Sequence, residues 1–107
     1  DLLPEFGINV PFLTRGEKIV PSFHIMPSIL PAETDRSALM AKMKSYGIQT
    51  SVHYPSFKSF HAYRYMFTNI ETPVCDMICA RELTLPLHPR LELEHVKTVV
   101  DCMRSCT

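Results

Sequence analysis

Proline stands at almost every point of this chain where an element could begin or end. A proline fixes φ and removes a backbone donor, so it suits the first turn of a helix, a strand edge or a turn, and little else. Three of the nine prolines fall within Asp1–Pro21, with Gly7 and Gly16 beside them, and that stretch reads as irregular. Its apolar residues, Phe6, Ile8, Val10, Phe12 and Leu13, lack helical spacing and suggest an arm that wraps another surface. Ser22–Leu30 reads as a strand through Phe23, Ile25, Ile29 and Leu30. Pro27 restricts it to an edge or a bulged strand, and Pro31 ends it.

Two helices follow from spacing and caps. Asp35–Tyr46 has Thr34 or Asp35 to cap its first turn and a stripe of Leu39, Met40, Met43 and Tyr46. Lys42 and Lys44 lie near the negative end of its dipole. Gly47 is placed to stop it in the left-handed region, with Ile48 folding back. Glu92–Arg104 carries Val96, Val99, Val100 and Met103 on one stripe. Glu92 stands where Ser or Thr would cap better, yet its charge complements the helix dipole.

Between them Gln49–Tyr54 alternates as a strand and Pro55 ends it. Ser56–Phe60 reads as a loop, and His61–Phe67 as a short helix with Tyr63, Met66 and Phe67 on one side. Pro73–Arg81 is a helix with proline in its first turn, Leu83–Leu85 a short strand, and Pro86 and Pro89 bracket a turn. This order predicts an α+β class: a small antiparallel or mixed sheet of about three strands with helices packed on one face. The arm occupies 1–21 and the domain proper 22–107.

The balance of residues removes several functions. A chain of 107 residues suits one domain. Its formal net charge is zero and its pI near 7.1, without the basic excess of a nucleic-acid binder. No apolar run approaches the roughly 20 residues that cross a membrane. The first residues hold no basic region followed by an apolar stretch, so no signal peptide is expected. The chain starts at Asp1 without an initiator Met and reads as trimmed there or as a piece of something longer. Cys75 and Cys79, and Cys102 and Cys106, form two pairs spaced to share a helix face. A zinc site would need all four to converge from two helices; reduced thiols in an intracellular, cytoplasmic protein are the plainer reading.

Six residues are candidates for a site. His53 and Tyr54 end a strand where side chains face a cleft, and imidazole and phenol can position a phosphate or move a proton. A histidine bonded to a neighbouring carbonyl and a tyrosine in the core fit the same pattern. Tyr63 and Arg64, with Phe60 and Tyr65, could stack on a base and take a phosphate, or simply make an amphipathic turn with one exposed cation. Lys58 lies in the loop beside them, and His88 sits in the rigid turn between Pro86 and Pro89, either at a cleft or in solvent. His24 and His53 could meet across paired strands, but no metal-ligand spacing such as H-x-x-x-H occurs. No Gly-rich phosphate loop and no G-x-S-x-G elbow occurs either.

Three stretches in fixed order carry a resemblance: "DRSALMAKMKSYGIQTSVHYPSF", "FHAYR" and "ARELTLPLHPRLELEHVKTVVDCM". From about Ser22 to Met103 the chain resembles the C-terminal, small domain of the DegT/DnrJ/EryC1/StrS aminotransferases. These are fold-type I, pyridoxal-phosphate enzymes acting mostly on nucleotide-linked keto-sugars. The resemblance implies that a large domain outside this chain carries the cofactor and its Schiff-base lysine. It implies a homodimer as the working unit and a small domain that helps close the substrate cleft. His53 and Tyr54 would then approach the substrate, a nucleotide sugar, and His88 would lie near the domain boundary.

Lys58 stands where the family often has a second histidine, and His61 where it usually has Ser or Pro. The five lysines are Lys18, Lys42, Lys44, Lys58 and Lys97, and none has the setting of the family's cofactor lysine. "SFHIM" echoes the lead into that lysine, but Pro27 and Ser28 follow. The chain alone is therefore expected to hold no cofactor, to have no catalytic residue of its own, and to associate with the missing large domain or with itself. Two other readings remain: a freestanding ligand-binding or interaction module, and an unrelated site built on His53, Tyr54 and Lys58.

Overall fold

The computed structural model of the chain describes residues 3–12, 20–66 and 68–105. Its regular elements run β1 (Met26–Ile29), α1 (Arg36–Ser45), α2 (Pro73–Arg81), β2 (Glu82–Leu85) and α3 (Leu93–Arg104), with single 3-10 turns at Pro4–Phe6, Phe57–Ser59 and His61–Tyr63. The class is α+β, as expected, but the sheet has two strands among the described residues, not three. β1 and β2 pair antiparallel, Met26 opposite Leu85 and Ile29 opposite Glu82.

The expected strand at Gln49–Tyr54 shrinks to one bridge, Ser51 to Thr84. These two exchange both backbone bonds, Ser51 N to Thr84 O at 3.2 Å and Thr84 N to Ser51 O at 2.8 Å. In that register the next hydrogen-bonded pairs would be His53 with Glu82 and Gln49 with Pro86. The first fails because Arg36 Nη1 donates to the Glu82 carbonyl at 3.0 Å and the His53 N–H goes instead to the Glu82 carboxylate at 2.8 Å. The second fails because Pro86 has no N–H.

Thr84 spends both its backbone groups on Ser51, so its pairing with Pro27 is the kind that needs no hydrogen bond. That is how β1 accommodates a proline. On the other side of β1, Asn9 and Ile29 exchange backbone bonds of 3.0 and 2.7 Å. The order across the sheet is thus Asn9, β1, β2, Ser51. His24 and His53 do not meet, because β2 lies between their segments.

One core runs through the chain. Leu83 and Leu85 of β2 join Leu39 and Met43 of α1, Val99, Val100 and Met103 of α3, and Leu30 and Ile48. Each such side chain, fully buried, is worth about 1.5–3 kcal/mol. Leu3, Ile8 and Val10 belong to this core too. Phe6, expected to face another domain, packs against the core with Arg104 4.5 Å above its ring. Phe12 is exposed, and Leu13 lies outside the described residues.

α1 begins as the sequence predicts, with the Asp35 carboxylate accepting from the Ala38 N–H at 3.0 Å. It ends in a Schellman motif: Ile48 N donates to Met43 O at 2.9 Å, and Gly47 N to Lys44 O at 3.0 Å. Gly47 has φ +74°, a region an L-residue enters only at a cost. Tyr46, expected in the buried stripe, is 64% exposed because the chain turns away at Gly47. Val96 is likewise exposed, since only the C-terminal half of α3 lies on the core. The expected helix at His61–Phe67 is one 3-10 turn followed by a further turn through Met66; Phe67 lies outside the described residues. Among the described residues, no helix is long and apolar enough to cross a membrane.

Candidate functional site

Antiparallel pairing around Ser51 and Thr84 puts four polar side chains on one face: Ser51 and His53 from one segment, Thr84 and Glu82 from β2. Leu83 and Leu85 point to the other face, into the core. Glu82 is 2% exposed, and its carboxylate is satisfied on both oxygens. The backbone N–H of His53 donates to Oε2 at 2.8 Å, and the Thr84 hydroxyl donates to Oε1. His53 Nδ1 lies 2.9 Å from Thr84 Oγ1 and 3.4 Å from Ser51 Oγ. Sequence reasoning found His53 and missed Glu82 and Thr84. Their signal was present, because E-L-T-L puts two polar residues on one face of a strand whose other face is leucine.

Tyr54 follows with its ring edge-on to His53, 5.0 Å between centroids, and is 70% exposed. It is not a core tyrosine. Ser56 then caps the 3-10 turn that lifts Lys58 toward α2. There Lys58 Nζ pairs with Asp76 Oδ2 at 2.7 Å. Lys58 is the main reason the Asp76 carboxyl sits below the ordinary 3.8, with partial desolvation opposing it. Tyr63 and Arg64 are exposed on the next turns, as are Phe60 and Tyr65. The structure thus joins His53 to Tyr54 and anchors Lys58 on α2.

His88 lies elsewhere, in a cavity of about 620 Å³ that it lines with His24, His95 and Tyr46. Its Nδ1 accepts the Arg90 N–H at 3.2 Å, and His95 Nδ1 accepts the Glu92 N–H at 3.1 Å. In the neutral rings Nε2 therefore carries the proton. Ser51 and Thr84 also line this cavity, so its wall is continuous with the hydroxyls that touch His53.

Four of the five lysines lie among the described residues, and Lys18 lies outside them. Lys58 and Lys97 are engaged with Asp76 and Glu94, and Lys42 Nζ donates to the Ser105 carbonyl at 3.0 Å. Lys44 lines a groove of about 520 Å³ that contains no carboxylate to meet a pyridine nitrogen. Among the described residues no group of three or more His, Cys, Asp or Glu is arranged to hold a metal. Cys75, Cys79 and Cys102 are thiols, not disulfides; Cys75 and Cys79 lie 3.8 Å apart on α2, Cys102 is in the core, and Cys106 lies outside the described residues.

This fold recurs inside aminotransferases. The chain superposes on NtdA of Bacillus subtilis, solved with bound PMP, with a TM-score of 0.75 and 23% identity, over 98% of this chain and 25% of that one. It matches the Helicobacter pylori PseC, an aminotransferase involved in pseudaminic acid biosynthesis, with a TM-score of 0.69 and 21% identity, over 78% of this chain and 23% of that one.

The sequence carries the assignment further. The model of the DegT/DnrJ/EryC1/StrS aminotransferase family matches residues 2–104, and the chain belongs to that family. It is 36% identical over 66 residues to a dTDP-4-dehydro-2,3,6-trideoxy-D-glucose 4-aminotransferase of Saccharopolyspora spinosa, covering 62% of this chain and 16% of that protein. The chain therefore spans a small part of the length of the relatives it matches.

Proposed function

We propose that this chain is the small, C-terminal domain of a pyridoxal-phosphate aminotransferase acting on a nucleotide-linked keto-sugar. In this reading the domain closes the substrate cleft and supplies part of a dimer interface, while the cofactor and its lysine belong to the rest of the full-length protein. The observation that carries it is the family match across 2–104, set beside the 16% of the curated relative that the chain spans.

The chemistry of the site agrees. An aldimine-forming lysine must present a neutral amine, whereas Lys58 is tied to a carboxylate at 2.7 Å. His53 and Tyr54 stand together at a strand edge, on a segment held by β2 and by the Schellman stop of α1. They form the substrate-facing pair, with Lys58, Tyr63 and Arg64 on the turns that follow and His88 toward the domain boundary. The exposed apolar side of α2, with Val74, Met77 and Ile78, docks against the remainder of the full-length polypeptide.

A domain exchange tests this. The matching segment of the Saccharopolyspora spinosa enzyme is replaced by residues 22–104 of this chain, and transamination of its own substrate is measured. A hybrid that keeps activity, and loses about tenfold in kcat/KM on His53→Ala, is the expected result. A folded, cofactor-loaded hybrid with no activity, or one indifferent to His53→Ala, overturns the reading.

A further inference from the structure

We propose that Glu82 and Thr84 are positioning residues that hold His53 as its Nδ1–H tautomer, leaving the Nε2 lone pair as an acceptor for a hydroxyl or ammonium group of a ligand. This deepens the function proposed above and rests on it for the ligand, but not for the tautomer.

The tautomer follows from counting protons. A threonine hydroxyl has one hydrogen to give. Thr84 gives it to Glu82 Oε1. Among the described residues the buried carboxylate has no other donor on that oxygen, and its Oε2 already takes the His53 N–H. His53 Nδ1, 2.9 Å from Thr84 Oγ1, must then be the donor of that contact. Among the described residues Ser51 Oγ, 3.4 Å from Nδ1, is the one other polar side-chain atom bonded to it, and it accepts the same proton more weakly.

The neutral ring therefore bears its lone pair on Nε2. No hydrogen bond to Nε2 is formed among the described residues. His88 and His95 are set the opposite way, because each Nδ1 accepts a backbone N–H. Of the three imidazoles whose tautomer a hydrogen bond sets, His53, beside Tyr54, is the one that leaves Nε2 as the acceptor. A carboxylate and a hydroxyl on β2, aligned on an imidazole from the segment bridged to it, make the arrangement that fixes a ring's orientation and which nitrogen carries the proton.

The direct test is the ¹⁵N spectrum of the full chain labelled at histidine, at a pH where His53 is neutral. The expected signature is a protonated-type shift at Nδ1 and a pyridine-type shift at Nε2. Thr84→Val keeps the shape and removes the hydroxyl, leaving Ser51 free to donate to Nδ1; it should move His53 to the Nε2–H form, and Thr84→Ser should restore the original. Unchanged methyl shifts of Leu83 and Leu85 report that each variant is folded. A wild-type His53 in the Nε2–H form, or a folded Thr84→Val variant with the wild-type tautomer, overturns the inference.

The ligand half is read in the hybrid enzyme described above. There Thr84→Val should lower kcat/KM about three- to tenfold, and Thr84→Ser should leave it near the parent. A Thr84→Val hybrid as active as its parent overturns the ligand contact. An inactive parent hybrid removes the functional reading and the ligand contact together, and the spectrum of the chain still decides the tautomer.

Discussion

α2 and α3 are helices of nine and twelve residues, each with apolar side chains at helical spacing, yet α3 buries Val99, Val100, Cys102 and Met103 while α2 buries none of its residues. What holds α2 is polar. Arg36 Nη1 reaches the Cys79 carbonyl at 2.7 Å, near the helix end where a cation is favoured. Lys58 and Ser56 hold Asp76 near the other end, and Arg81 donates to the Leu30 carbonyl. One helix is fixed by what it removes from water. The other is fixed at its ends, with Val74, Met77 and Ile78 left exposed. The two helices thus do different work: α3 makes the domain fold, and α2 offers an apolar side that the described residues do not cover.

The most severe way to break this contrast is Met103→Ala. Met103 is fully buried, so truncation should cost about 2–5 kcal/mol, read as a fall in the urea midpoint. Met77→Ala on α2 should stay within about 0.5 kcal/mol, and equal losses at the two positions would abolish the distinction. A smaller effect is expected on the polar face. Thr84→Val leaves a buried carboxylate oxygen without its donor and should cost about 1–3 kcal/mol, measured in the same way.

Gly47→Ala comes next, at about 1 kcal/mol. A Cβ there would meet nothing within 4 Å, so the whole cost lies in the positive φ of the Schellman motif. A midpoint unchanged by this substitution would mean that the stop of α1 does not set the path to Ser51.

The smallest effect concerns the ties of α2. The folded pKa of Asp76 lies below the ordinary 3.8, so its contribution is complete above that value and is lost as pH falls through the lower, folded one. Lys58→Met should bring the Asp76 carboxyl back toward 3.8 in an NMR titration, with little change in stability at neutral pH, since both partners are partly exposed. A titration unchanged by the substitution would show that Lys58 does not hold α2.

What could be read from the sequence was local. Asp35 declares the start of α1, Gly47 and Ile48 declare its end, and Pro73 declares the start of α2. The non-local decisions were hidden. The strand at Gln49–Tyr54 has the right alternation, but its pairing is cut short by Arg36 and Pro86, neither of which lies in it. Tyr46 and Val96 keep helical spacing with the core, yet the chain turns away at Gly47 and only the C-terminal half of α3 lies on the core. At the site, His53 was visible as a histidine beside Tyr-Pro. Glu82 and Thr84 showed as the polar face of a strand, but their pairing with His53 was hidden, because residues 29 and 31 positions away in sequence become neighbours only once β2 is in place.

That separation has a consequence for how the domain can vary. β1 and β2 close a loop in which Ser28 and Leu83 meet across 55 positions. Inside it lie α1, His53, Tyr54 and the turns bearing Lys58, Tyr63 and Arg64. The entropy of closing such a loop rises only with the logarithm of its length, about 0.6 kcal/mol for each doubling. Insertions and deletions between Pro55 and Thr72 would therefore change the reach and chemistry of the exposed turns while leaving the β1–β2 register nearly untouched. The sheet is the clasp, and the stretch it closes is the part that can be re-lengthened without undoing it.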